Sequence, residues 1–386
     1  MSKQFFGLNN VTDRLRLGVQ TLVTADNVDI SDTGALAKRA GYVQAQPCTP
    51  STVYSTLDYS RMYLVDAGVL KVMHRPGDLT VLQTGLSSAP LFWTEINGQV
   101  FFNNGVNTGI INPDHSVLPW SWDVPASPTL RAVSGNLPAG LYRAACTYVL
   151  PDGRETGADL ASEITLTGGQ ALQISGIPQT PGLTTRLYIA PADSTVLQLA
   201  GSPSATALVW NDTPDALGAD LLTSLMNPVP DGADVIQAWR GSLYCALYMP
   251  ASDQTAVFFS QPLGFHLFDL VADFFLVPGR VRMLAPHKDA LIVGTERRIH
   301  AFDGERLTEL AAYGVVPGMH WASDDERVIF WSQRGACAAL PFTNLTERQV
   351  SVAPGTQAGA AIVRHGGQKR YVVALKQGGS AFNPFS

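Results

Sequence analysis

Seven histidines, His74, His115, His266, His287, His300, His320 and His365, are the residues best able to hold a metal or move a proton. They lie scattered, without the short spacings that place two ligands on one face. His287 and His300 flank one hairpin and are the pair best placed to approach each other. Carboxylates cluster in "SDDER" (Asp324, Asp325, Glu326) and in "PDGRET" (Asp152, Glu155). Both stretches read as turns, where Asp caps backbone N–H groups, so turn capping explains them more simply than general acid–base work. The four cysteines, Cys48, Cys146, Cys245 and Cys337, are far apart and form no C-x-x-C. "LYCALY" and "GACAAL" set two of them in apolar runs, as buried free thiols.

No phosphate-binding G-x-x-x-x-G-K-[ST], G-x-S-x-G, H-E-x-x-H or EF-hand loop occurs, and "GGQKR" at 366–370 is a turn. Propeller glycosidases carry S-x-D-x-G-x-T-W turns, and none is present. Seven tryptophans, two of them in "PWSWD" at 119–123, could stack sugars but more often pack sheets together. The sequence therefore assigns no catalytic residue, no cofactor and no metal ligand.

What the sequence does carry is a repeat. "DALIVGTERRIHAFDG" at 289–304 is an apolar run, a polar turn, an apolar run and a turn. "RMYLVDAGVLKVMH", "GQVFFNNGVNTGII", "GSLYCALYMPASDQTAVFFSQ", "RVIFWSQRGACAALP" and "RYVVALKQGGSAF" have the same form. A strand-like piece precedes each and another usually follows, giving four short strands per unit, and the last unit lacks a clear outer strand. The central runs begin near residues 62, 100, 243, 290, 328 and 371, mostly about 36 to 47 residues apart. Such a unit is a β-propeller blade. We expect an all-β chain with blades at roughly 51–86, 90–134, 233–272, 279–311, 318–352 and 359–385. Six blades are favoured, with seven as the nearest alternative; a β-sandwich or two-domain all-β chain is the other architecture compatible with the spacing.

The gap between 100 and 243 holds an insertion. Residues 135–228 read as seven short strands with turns every 8–12 residues, a small β-sandwich. The pattern G-x-Y-x-x-x-x-T-Y from Gly140 to Tyr148 resembles fibronectin-III or immunoglobulin-like modules. The expected division is therefore an N-terminal arm and ring-closing strand at 1–50, two blades at 51–134, the module at 135–228 and four blades at 229–386. The strand-like "GALAKRAGYV" at 34–43 would close the ring by joining the last blade.

Composition agrees with this reading. Apolar residues make up 46% and charged residues 15%, and there are 35 glycines and 25 prolines. Asp outnumbers Glu by 24 to 8, a bias toward turns over helices. The net charge of −6 argues against a nonspecific nucleic-acid binder but suits a wall that DNA slides past. Arg outnumbers Lys by 20 to 6, which suits planar ion pairs, including those between subunits, as well as it suits codon bias. No apolar run is long enough to span a membrane. No secretion signal is read at the start, so assembly in a reducing cytoplasm is expected.

The stretch at 5–42 differs from the rest. It reads as an extended arm with turns at Asn9-Asn10, Asp13 and 32–34. It resembles the start of tailed-bacteriophage virion proteins of the tail nozzle and packaged-DNA stabilisation (tail hub) family. The shared pattern is N-N, then A-x-N-V-D-I-x-x-x-G-x-L-x-x-R-x-G. Here those positions are Asn9, Asn10, Ala25, Asn27, Val28, Asp29, Ile30, Gly34, Leu36, Arg39 and Gly41. Family members often have paired Arg and a Pro before the last Gly, where this chain has Lys38, Arg39 and Ala40.

The resemblance implies a β-propeller subunit repeated in a homo-oligomeric ring, six-fold favoured. Such a ring extends the tail channel, retains packaged DNA until ejection, and docks other tail or adaptor proteins and fibres. DNA would pass without sequence-specific binding. The chain would reside in the virion tail after assembly in the host bacterial cytoplasm. The motif residues would shape the arm and close the ring of blades, with no enzymatic role. A receptor- or glycan-binding tail-tip protein is the alternative, and a propeller hydrolase the third.

Overall fold

The computed structural model describes residues 4–377 apart from 32, 40, 42, 43, 45, 325, 326, 366 and 367. The chain is all-β. Helix among these residues is limited to two 3-10 turns, Arg14–Arg16 and Pro214–Ala216.

Most sheets are antiparallel meanders in which each strand pairs with the next. The first sheet runs Thr52–Ser55, Met62–Asp66, Val69–Arg75 and Asp78–Gln83. The second runs Phe92–Ile96, Gln99–Asn103, Thr108–Ile111 and Val117–Leu118. The third spans 235–278, the fourth 281–311 and the fifth 321–344. The sixth is the hairpin Gln357–His365 with Gln368–Lys376.

Strand alternation explains why these sheets stack. In the third, Val235, Trp239, Tyr244, Ala246 and Val257 point one way, onto Val281, Leu284, Leu291 and Val293 of the fourth. Ile236, Leu243, Cys245, Ala256 and Phe258 point the other way, onto Phe101, Ile110 and Trp120 of the second. Both faces are apolar because both are covered. A sheet left alone would expose one set, forfeiting about 1.5–3 kcal/mol for each large side chain. Similar cores join the first sheet to the second, the fourth to the fifth and the fifth to the sixth.

Indole N–H groups pin four of these five junctions. Trp93 Nε1 donates to Thr52 Oγ1 (3.0 Å), Trp120 Nε1 to the Phe265 carbonyl (2.7 Å), Trp239 Nε1 to the His287 carbonyl (2.7 Å), and Trp331 Nε1 to the Pro354 carbonyl (3.0 Å). At the junction of the fourth and fifth sheets, Gln333 Nε2 donates to the Glu296 carbonyl (2.6 Å). Phe92 of the second sheet, Val235 and Ile236 of the third, Met283 and Leu284 of the fourth, and Gly318, Met319 and Trp321 at the start of the fifth leave a cavity of about 10 Å³. That is room for one water at most.

The insertion forms two sheets over a common core that includes Tyr142, Cys146, Leu172, Leu187 and Trp210. One sheet has the order Thr129–Leu137, Gln170–Ser175, Ala207–Trp210. The other has Ser162–Leu166, Gly140–Val149, Thr184–Ala190, Gln198–Gly201. The chain leaves the second sheet and enters the third close together, since Val229 N donates to Ser121 Oγ (3.2 Å).

Four details differ from the sequence expectation. Thr129–Leu137 pairs with Gln170–Ser175, so the module begins earlier than 135 and the second sheet ends at Leu118. The third sheet gains a fifth strand, Phe274–Pro278, which pairs with Gln254–Gln261 beyond the expected limit at 272. The sixth sheet has two strands among the described residues, fewer than expected even for a unit without a clear outer strand, and 378–385 of its expected span lie outside them. Leu36–Lys38 pairs with Val28–Ile30 rather than with the last sheet. A tight turn holds these two strands as neighbours, and closing a short loop costs little entropy. Residues 40, 42 and 43 of the expected closing strand lie outside the described set.

His320, fully buried between the fifth and sixth sheets, makes the fold acid-sensitive. Its Nδ1 accepts from Trp331 N (3.1 Å), and burial pushes its pKa down to about 4. An unfolded histidine titrates near 6.5. Between those values the unfolded chain binds a proton that the folded chain excludes, so stability falls as pH drops from 6.5 toward 4. The loss from this one group amounts to about 3 kcal/mol. Denaturant melts between pH 7 and pH 4 should show it, and His320→Gln should flatten the slope while lowering stability at neutral pH.

Candidate functional site

The family-like residues gather on the arm, and the arm has almost no core. Among the described residues of 4–50 only Gly34 is buried. Polar contacts must therefore hold it. Gly7–Leu8 pairs in parallel with Thr21–Leu22, and the loop between them projects. Asn9 builds the start of that loop: its Oδ1 accepts from Thr12 N (2.9 Å) and its Nδ2 donates to Thr12 Oγ1 (3.1 Å).

Asn10 points the other way and ties the arm to the far end of the chain. Its Nδ2 donates to the Ser351 carbonyl (3.0 Å), and its Oδ1 accepts from Ser351 N (2.7 Å). Its backbone N–H donates to the Gln349 carbonyl (2.9 Å). A carboxamide supplies one donor and one acceptor side by side, which is the hydrogen-bonding face of a peptide group. Asn10 therefore pairs with Ser351 as a strand residue would, across 341 positions of sequence.

The Val28–Ile30 hairpin adds a second tie. Asp29 Oδ1 lies 3.4 Å from Arg370 Nη1 on the sixth sheet. Exposed pairs of this kind contribute little energy and serve mainly to orient. Gly34 fixes the hairpin turn at φ +74°, and its carbonyl accepts from Phe5 N (2.8 Å). A Cβ there would stand 2.8 Å from that nitrogen, so both conformation and space demand glycine. Asn27, at φ +53°, accepts from Arg39 N through its carbonyl (2.8 Å). Gly41 is exposed with open space around it. Farther on, Gln46 Oε1 accepts from Gly77 N of the first sheet (2.8 Å). The arm thus reaches from the fifth and sixth sheets to the first.

The chemistry-bearing residues are not brought together. Among the described residues no three of His, Cys, Asp or Glu form a group that could hold a metal ion. His300 pairs with Glu309 on the neighbouring strand, and His287 lies beside Asp289. Cys146, Cys245 and Cys337 are buried free thiols, and burial pushes Cys146 up to about 12. Cys48 is half-buried. Asp325 and Glu326 lie outside the described residues. Asp152 caps its turn through Arg154 N (3.1 Å). Glu155 accepts from Thr147 Oγ1, Tyr188 OH and Arg186 Nη1, which spends both its oxygens inside the module.

A cleft of about 290 Å³ opens between the second and third sheets and the module, lined by Gln99, Asn112, Asp152, Arg154, Phe265 and His266 among others. Its polar groups are largely spent on one another. Gln99 Nε2 donates to Asn112 Oδ1 (2.8 Å), Arg154 holds Asp152 and the Pro119 and Trp120 carbonyls, and His266 Nε2 meets the Glu155 carbonyl (2.9 Å). Burial lowers the pKa of His266, keeping the ring neutral.

No residue pattern marks Ser351, Gln349 or Arg370 as partners of the arm. Their bonds use backbone groups or a common ion pair, and neither leaves a pattern.

No protein-family model matches the chain, and no curated protein matches it. Among solved structures it is similar to dipeptidyl peptidase 4 of Porphyromonas gingivalis, with 8% identity and a TM-score of 0.31, covering 80% of this chain and 47% of that one. It is similar to PorZ, a surface component of the type-IX secretion system of the same organism, at 13% and 0.24, covering 82% and 42%. A third is Hsv2 of Kluyveromyces lactis, at 10% and 0.29, covering 78% and 76%. The chain spans less than half the length of the first two. At these scores the likeness carries no argument about activity.

Asn10→Ala should free the arm without unfolding the sheets. Losing two exposed hydrogen bonds costs about 1–2 kcal/mol. Amide exchange at the arm and at Ser351 should quicken by about tenfold, with the far-ultraviolet circular dichroism unchanged. Unaltered exchange would remove the tie from the account of the arm.

Proposed function

We propose that the six sheets close into a six-bladed β-propeller carrying a fibronectin-III-like module, and that the chain is a ring-forming structural protein of a bacteriophage tail, of nozzle or hub type. The arm carries the reading. Asn10, Asp29 and Gly34, three residues of the family-like pattern, are those through which it binds the far end of the chain or turns back on itself. Residues with a catalytic role would converge on a cleft; these converge on a join.

The blade count is supported by the five interlayer cores and by the arm across the sixth position. Ring assembly is supported by the arm's surface, where Phe6, Leu15 and Val19 are 76%, 95% and 82% exposed. Apolar side chains so placed suit burial against another subunit. In a propeller centred on the small cavity at Phe92, Val235, Met283 and Met319 the axis would leave no passage, so DNA would run through a channel between subunits. A net charge of −6 favours a duplex that slides rather than sticks.

The receptor- or glycan-binding alternative has the cleft beside Asp152, Arg154 and His266 as its place. Its polar groups are already paired, and Phe265 is only 7% exposed, so little is left to grip or stack a sugar.

Negative-stain imaging of the purified protein should show rings, or decorated tail tubes when tail components are supplied. Monomers or trimers that adhere to host cells would overturn the ring reading in favour of the alternative. A mobility-shift titration at moderate salt should show no tight complex with duplex DNA. Tight binding would contradict a sliding channel wall.

A further inference from the structure

We infer that the tip of the N-terminal arm docks on the leucine-rich, acidic edge of the inserted module in a second copy of this chain. The inference rests on the ring reading and names the contact that builds the ring.

The arm tip is the 3-10 turn Arg14–Arg16, held by Asp13, whose Oδ1 accepts from Leu15 N (3.0 Å). It presents Leu15 between two exposed guanidiniums, with Val19 close behind. Neither Arg14 nor Arg16 has an ion pair among the described residues.

The module edge is complementary. From 187 to 239 the chain has no Lys or Arg but six Asp. The segment after Pro214–Ala216 runs along the four-stranded sheet, with Leu221 N bonded to the Leu197 carbonyl (2.8 Å) and Leu225 N to the Ala158 carbonyl (3.0 Å). Leu160, Leu222 and Leu225, which are 73%, 87% and 58% exposed, lie along this edge. Asp215 and Asp220 stand on the same segment and Asp159 beside Leu160, and among the described residues none of the three has an ion pair.

Backbone conformation shapes the same edge. Leu225 sits at φ +59°, a left-handed conformation that a leucine adopts at a cost of about 1–3 kcal/mol, in a turn closed by Met226 N on the Thr223 carbonyl (3.2 Å). That turn and the bond to Ala158 leave the Leu225 side chain outward.

Basic and apolar on the arm, acidic and apolar on the edge: each patch lacks what the other has. Both stand free in one copy, so a second copy must supply the match. One patch meeting a different one is a heterologous contact, which generates a ring where the rotation closes. Leu15 would anchor the contact, with further surface completing an interface of ordinary size.

Two variants test this. Arg14→Glu with Arg16→Glu reverses the tip, and Asp215→Arg with Asp220→Arg reverses the edge. Circular dichroism establishes folding, and sedimentation velocity reads assembly against concentration. Each variant alone should associate at least about tenfold more weakly than the unmodified chain. Mixed in equal amounts, they should assemble again, because every arm then meets an edge of opposite charge. Assembly of either variant alone at unmodified strength, or none on mixing, overturns the contact and leaves the ring reading in place. An unmodified chain that stays monomeric at every concentration overturns both. Leu15→Ser and Leu222→Ser should each weaken assembly without charge reversal, and an unchanged association of both would likewise overturn the contact.

Discussion

The second to fifth sheets are each apolar on both faces, and that constraint governs the rest. Such a sheet cannot end at water, so it recruits another sheet of the same kind, which inherits the same need. The five cores between consecutive sheets are successive answers to one problem. Stacking in a line would only pass the exposed face to the last sheet. Fanning the sheets about a centre would bring the last toward the first, and in the proposed propeller the small cavity lined by Phe92, Val235, Met283 and Met319 would mark that centre. The buried indoles fit the same logic. A tryptophan fills the gap between two twisted sheets, and its N–H then needs an acceptor, found on the neighbouring sheet's backbone or hydroxyl.

What stacking leaves open is the join between the arm and the fifth and sixth sheets, made through Asn10 and Asp29. No covalent link holds it, and the sixth sheet offers only a hairpin there among the described residues. The arm occupies that place without building a core of its own. Hydrogen bonds in water contribute little net energy, but they are directional. Asn10 and the Gln46 contact with Gly77 fix where the arm lies more than how strongly it holds. An arm so positioned, with large apolar side chains outward, would on the proposed reading be ordered for receiving a second copy.

Much of the fold was legible in the residues, and the reason is periodicity. Runs such as "LIVGT" and "LYCALY" lack polar alternation because two neighbours cover them, and their spacing follows from four short strands per unit. The module was legible from turn spacing, though its first strand was not. "TLRAVSGNL" alternates as an outer blade strand would, and only its pairing with Gln170–Ser175 assigns it to the module. Local pairing of Leu36–Lys38 was missed for a related reason. A short strand's preference says that it pairs, not with what. The candidate site was half legible. Asn10 and Gly34 stood in a recognisable pattern, whereas Ser351 is reached through its backbone, which any residue would offer.

On the proposed reading, the small cavity lined by Phe92, Val235, Met283 and Met319 bears on what kind of assembly part the chain would be. A propeller with an open axis could carry a ligand or strand through itself. An axis closed over methionine and aromatic side chains could not, and the polar cleft lies off to one side with most of its groups paired. A function on a long polymer would then belong to an arrangement of copies, which places the demand on outer surfaces. The arm and the module would be two contrasting regions of that surface. Two unlike faces are what a closed ring would require of its subunit, whereas a body with one sticky face would pair with itself and stop at two.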